Sequence, residues 1–158
     1  MPAKPIVITL HIGSEETQVD VGQSVLSMTL GTEITALGYF RHQPPTPAEM
    51  ETAIMVVEDE IMRIRYDIPA DARLISQDQD IRTIAHLAGV AEDENMLLSI
   101  DAVERTFDRL SLVINGRSAH VEGIPASNEF AATLLILREF MHHLGFKQIE
   151  LKGAKVTL

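Results

Sequence analysis

Residues 6–21 read IVITLHIGSEETQVDV. Ile6, Ile8, Leu10 and Ile12 alternate with Val7, Thr9 and His11, the chain turns at Gly13-Ser14-Glu15-Glu16, and Val19 and Val21 then alternate with Gln18 and Asp20. A period of two on both sides of a short polar turn is the pattern of a β-hairpin with one apolar face. Such a face must be covered, so the hairpin implies a sheet backed by other elements, and the rest of the chain is read for what backs it.

Residues 24–40 fit either a strand or a short helix, because Val25, Leu26, Met28 and Leu30 satisfy both periods while Gly31 and Gly38 punctuate both. RHQPPTP at 41–47 carries three prolines and reads as a stiff extended connector inside a single globular domain spanning 1–158. Thr46-Pro47-Ala48-Glu49 is a capping box with proline at the first helical position, which predicts a helix over 47–65. Met50, Ala53, Ile54, Val57, Ile61 and Ile64 form its buried stripe, and Asp59 is placed to pair with Arg63 one turn on.

SQDQDIRTIAHLAGV at 76–90 offers caps at Ser76, Asp78 or Asp80 and a short helix closed by Gly89. In AEDENMLLSIDAVERTFDRL, Met96, Ile100, Val103, Phe107 and Leu110 fall at helical intervals and predict a further helix. Asn115-Gly116 lies between alternating runs and predicts a second hairpin, since a two-residue type I′ turn needs positive φ at both central positions. A last helix is expected from about Asn128 to Leu144, closed by Gly145, followed by a strand in KQIELKGAKV. The order hairpin, helices, hairpin, helix, strand predicts an α+β fold. Its sheet would be mainly antiparallel, built from the N-terminal hairpin, the Asn-Gly hairpin and the C-terminal strand, with two long helices packed on one face.

Composition narrows the chemistry. The 158-residue chain has no Cys and no Trp and is 46% hydrophobic. Its core is therefore aliphatic and methionine-filled, and thiolate catalysis, disulfides and Cys-ligated metals are excluded. A formal charge of −10, with basic residues scattered from Lys4 to Lys155, is the wrong field for nucleic acid or an anionic membrane. MPAKPIVITL carries one Lys and too short an apolar run for a signal peptide, and no run is long enough to span a bilayer, so a cytoplasmic location is expected.

Two local likenesses are carried by these residues. The opening hairpin followed by VGQSVLSMTL resembles the start of ubiquitin-like β-grasp domains; the tail KGAKVTL lacks the terminal Gly-Gly of the carrier members, and without Cys the ferredoxin type does not apply. TIAHLAGV at 83–90 resembles the first helix and turn of the helix-turn-helix of lac-type repressors. Glu92, Asp93 and Glu94 then stand where phosphate contacts would be made.

The nearest approach to a chemical signature is REFMHHLGF at 138–146. Glu139, His142 and His143 lie on a patch of the last helix away from Phe130, Leu134, Leu137 and Met141. A Glu and a His three apart suit a divalent transition metal. The alternative is two imidazoles interacting with the negative helix end and its loose carbonyls, with no cofactor bound. The acidic string Glu58, Asp59, Glu60 wraps around its helix and reads as a solvated face. GxGxxG, Walker A, GxSxG and HExxH are all absent from the sequence.

Apolar residues also lie off the core stripes: Met55 and Met62 on the first long helix, Leu135 and Ile136 on the last. They predict an interaction surface, most simply that of a symmetric homodimer. The sequence thus favours a non-enzymatic protein acting through self-association and binding of a protein partner. The alternative is a small enzyme or a metal- or small-ligand-binding protein using Glu139, His142 and His143.

Overall fold

A computed structural model describes residues 6–153. The hairpin forms as expected: β1 (Val7–Ile12) pairs antiparallel with β2 (Thr17–Asp20), Leu10 opposite Val19, and β2 pairs in turn with β3 (Val25–Met28). The ambiguous segment resolves into this third strand and α1 (Thr32–Tyr39). The connector at 41–47, with a cis Gln43–Pro44 bond, leads into α2 (Pro47–Ile64).

A 3-10 turn at Arg65–Asp67 precedes β4 (Arg73–Ser76), and α3 (Gln79–Leu87) and β5 (Asn95–Ser99) follow. Next come α4 (Ile100–Ile114), the short α5 (Ala119–Glu122), α6 (Asn128–His143) and β6 (Gln148–Lys152). The part of the predicted last strand beyond Gly153 lies outside the described residues.

The six strands make one sheet in the order β3-β2-β1-β4-β6-β5. It is α+β as expected but mixed rather than mainly antiparallel: β1 runs parallel to β4, and β4 parallel to β6. Strand residues alternate, with Ile8, Leu10, Ile12, Leu74, Met96, Leu98, Ile149 and Leu151 buried, whereas Val7 and Leu97 on the other face are 41% and 56% exposed. One face therefore carries the helices and the other is open. On the open face Arg73 donates twice to Glu150, at 2.9 and 2.7 Å, and the hydrogen bonds from Arg73 hold the Glu150 carboxyl below its usual range.

Three local expectations are corrected. Asn115-Gly116 is no hairpin turn: Leu112, Val113 and Ile114 complete the last turn of α4, and Gly116, at φ +111°, ends it. Gly116 N–H donates to Val113 O and Arg117 N–H to Leu112 O, the paired bonds of a Schellman C-cap. Both a hairpin and a helix end ask for positive φ here, and the helical spacing behind it decides. Met96 belongs to β5, not to a helix: Ser99 Oγ accepts from Ala102 N–H and starts α4 three residues later. Arg63 pairs with Glu60 rather than Asp59, because Glu60 also accepts from Thr29 N–H and Arg63 also donates to Ser27 O, tying α2 to β3.

The capping box of α2 is present as read, Glu49 N–H donating to Thr46 Oγ1 and Thr46 N–H to Glu49 Oε1. The hydrogen bond from Thr46 N–H, helped by Arg41 N–H and His42, pulls the Glu49 carboxyl from 4.5 down to about 2. A depressed carboxylate stabilises the fold above its unfolded value near 4.5, and that contribution is lost as pH falls through about 2. Glu49→Gln is thus expected to flatten the fall in melting temperature between pH 5 and pH 2 relative to wild type. Parallel curves would mean the box does not titrate with folding.

Helix α6 is the hub of the helix layer, packing against α1, α2, α3 and α4. Phe140 stacks on Phe146 at 5.8 Å, and every residue of α6 from Ala131 to Leu137 is buried. A helix apolar on all sides belongs inside, not at an interface.

Candidate functional site

In sheets with parallel strands, ligands are bound beyond the carboxyl ends of those strands, where helix N-termini gather. Here that edge is the end of β1 at Ile12 and of β4 at Ser76. The two ends are tied by Asp78: its Oδ1 pairs with His11 Nδ1 at 2.6 Å and its Oδ2 accepts from Ile12 N–H at 2.7 Å. Asp78 is the N-cap of α3, but its carboxylate serves β1, so the first amides of α3 have no side-chain cap.

Beside this tie lies a crevice of about 210 Å³. Thr32 enters it from the start of α1, Asp80 and Thr83 from the first turns of α3, and Ser127, Glu129 and Thr133 from the start of α6, with Pro125 and Phe130 as apolar wall. The three helices differ in what their N-termini offer. Those of α1 are taken by the β1–β2 turn, since Thr32 N–H donates to Gly13 O and both Glu33 and Ile34 N–H donate to Ser14 O. In α6 the Ser127 hydroxyl accepts from Phe130 N–H. Thr83 and Thr133 donate back to Gln79 O and Glu129 O, which leaves their hydroxyl oxygens able to serve only as acceptors.

The donor set is therefore oxygen-rich and includes two carboxylates, with the first-turn amides of α3 and α6 at the rim. No Lys, Arg or His is among the lining residues. A bare anion would be attracted by the helix ends and repelled by Asp80 and Glu129; a cation accompanied by an anion is matched by both.

The residues named from sequence lie elsewhere. Glu139 and His143 come together at the far end of α6: His143 Nε2 is 2.7 Å from Glu139 Oε2, and Arg138 Nη1 donates to Glu139 Oε1 at 2.9 Å. Glu139 is 3% exposed. His142 does not join them; it is turned out to solvent, its Nδ1 3.9 Å from Glu104. The unforeseen neighbour is Glu58 from α2, 3.9 Å from His143 Nε2. Nothing in the local pattern links it to α6, because only the packing of α2 on α6 brings them together.

Of the proposed interaction residues, Met55 is 65% exposed and Met62 half-buried beneath Arg65, whereas Leu135 and Ile136 are both fully buried. Of the crevice residues, Asp80 and the N-cap Ser127 carry only a capping signal in the sequence, and Glu129 and Thr133 carry none.

No family model and no curated protein matches the sequence. Solved structures do. A type II variant of the Aquifex aeolicus Ppx/GppA phosphatase superposes with a TM-score of 0.72 at 14% identity, over 96% of this chain and 54% of that one. The chain shares its fold with phosphatases. A second structure of the Aquifex aeolicus PPX-GPPA enzyme gives 0.71 at 14% identity, with the same coverage of both chains. An exopolyphosphatase-like protein gives 0.61 at 15%, over 98% of this chain and 56% of that one. The chain thus spans little more than half the length of the structures it resembles.

These likenesses correct the expected non-enzymatic role in self-association and partner binding. The architecture is one that enzymes use, and nothing among the described residues supports a homodimer. Among the described residues, no helix is long and apolar enough to cross a membrane.

Proposed function

We propose that this chain is the phosphoryl-binding part of a phosphatase-type enzyme, and that its crevice takes a phosphorylated substrate together with a divalent cation. The observation that carries the reading is the meeting of Asp80, Glu129, the uncapped first turn of α3 and the start of α6 in one crevice at the carboxyl ends of β1 and β4. The fold shared with part of a phosphatase supports this choice of reaction class.

The donor chemistry selects the cation. Carboxylate and hydroxyl oxygens suit a hard ion such as Mg²⁺, which keeps several waters and is commonly held by one or two carboxylates plus the substrate's own phosphates. Asp80 and Glu129 would hold it, and when bound it would supply positive charge against the phosphoryl oxygens. The amides at the start of α3 and α6 would orient the remaining phosphate oxygens, and Thr32, Thr83 and Ser127 would fix the substrate's polar rim. Asp78 acts as a positioning residue: by bonding His11 and Ile12 N–H it leaves the α3 amides free. The cation would offset Asp80 and Glu129, since no Lys, Arg or His lines the crevice to do so.

Calorimetry with tripolyphosphate, with and without Mg²⁺, tests this. Binding is expected only with Mg²⁺ and should weaken at least about 10-fold in Asp80→Asn and in Glu129→Gln, the loss of one charged contact each. A wild-type chain that binds no tripolyphosphate in Mg²⁺, or whose binding both variants leave unchanged, would remove the crevice from the argument.

A further inference from the structure

At the far end of α6 from the crevice, Glu58, Glu139 and His143 each offer one ligand atom, and these atoms all lie within 4.8 Å of one another. We infer that they form a second, independent site for a divalent transition cation of the Zn²⁺ class, joining α2 to α6.

Glu139 and His143 are one helical turn apart, so they share a face of α6, and Glu58 reaches them from α2. Two carboxylate oxygens and one imidazole nitrogen suit Zn²⁺, Mn²⁺ or Fe²⁺, and three protein ligands leave a fourth position open. Bonds of about 2.0–2.1 Å in tetrahedral geometry set donor atoms about 3.3 Å apart. The His143–Glu139 separation of 2.7 Å must open and the His143–Glu58 separation of 3.9 Å must close, each by roughly half an ångström. Both movements are within the torsional reach of Glu58 and His143, which are 45% and 22% exposed.

The supporting groups fit a ligand set. Arg138 holds the far oxygen of Glu139, and is itself held by Glu104 at 2.9 Å and stacked over the Phe107 ring at 4.3 Å. Hydrogen bonding to a ligating carboxylate is how outer partners orient it. His143 also borders a cleft of about 340 Å³ formed with Arg65, Tyr66 and Phe146, which gives the open position access to solvent. On binding, the cation would take the place of the hydrogen bond between His143 Nε2 and Glu139 Oε2.

The test is titration of the full chain with Zn²⁺ and with Mn²⁺, followed by calorimetry and thermal melting. The expected result is one ion per chain and, at a hundredfold excess over Kd, a rise in melting temperature of about 5–10 °C. Glu58→Ala and His143→Gln, at positions open enough to fold, should each weaken binding at least about 10-fold, while His142→Gln should not. The inference is overturned by a wild-type chain that binds neither ion at micromolar concentration. It is equally overturned by binding that survives Glu58→Ala and His143→Gln but is lost in His142→Gln, which would identify a surface histidine. Binding of Mg²⁺ and tripolyphosphate is read separately, at the other end of α6.

Discussion

Leu135→Ala and Ile136→Ala are each expected to lower the unfolding free energy by about 2–5 kcal/mol, measured by equilibrium urea denaturation. Both side chains have no exposed surface, in a helix packed against four others. Truncation there removes buried methyl groups and leaves a cavity that several elements would have to move together to fill. Met55→Ala is the contrast, since Met55 is 65% exposed and its replacement should stay within about 0.5 kcal/mol of wild type. If the α6 residues faced a partner instead, the three variants would behave alike in a dilute chain, and the losses at 135 and 136 would grow with protein concentration. A loss below about 1 kcal/mol at Leu135 would mean that α6 is not the hub of the layer.

How much of this can be read from the residues depends on how local each signal is. The start of α2 is fully legible, because Thr46, Pro47 and Glu49 satisfy one another within a single turn. The two sides of α6 are legible as apolar but not as buried: a helical wheel shows that Leu135 and Leu134 face different ways, and only the placement of α1, α2, α3 and α4 around α6 shows that both directions lead into the protein. The strand β4, four residues of RLIS, is too short to display a period, and with it go the parallel pairings to β1 and β6 that make the sheet mixed. Met96 and Ile100 are four apart, the interval of a helix, yet Ser99 lies between them as an N-cap and divides strand from helix.

The sites follow the same rule. Glu139 and His143 share a helix and are visible together in the sequence, whereas Glu58 belongs to another helix and reads there as part of a solvated face. The crevice draws on three helix starts separated by long stretches of chain, each unremarkable alone. Asp78 is the instructive case: recognisable as a capping residue, it does stand at the N-cap, but its side chain is spent on β1.

Gly31→Ala is expected to destabilise the chain by about 3 kcal/mol and to weaken Mg²⁺–tripolyphosphate binding with it. The backbone at Gly31 is extended, φ −168°, so conformational preference does not require glycine there. Space does: a Cβ would sit 2.3 Å from Ser14 O, 2.6 Å from Ser14 C and 2.7 Å from Gly13 O, all backbone atoms that cannot swing aside. The β1–β2 turn would have to withdraw from α1, breaking the bonds from Thr32, Glu33 and Ile34 N–H to Gly13 O and Ser14 O, and Thr32 would move with the helix it starts. A Cβ at Gly38, near the other end of α1, would meet nothing within 4 Å, and Gly38→Ala should instead stabilise by about 0.5–1 kcal/mol through helix propensity. Opposite signs for the two substitutions, read from urea midpoints, would place the constraint in the contact between turn and helix. A Gly31→Ala chain as stable as wild type would show that the turn does not seat on α1, and the wall of the crevice at Thr32 would lose its footing.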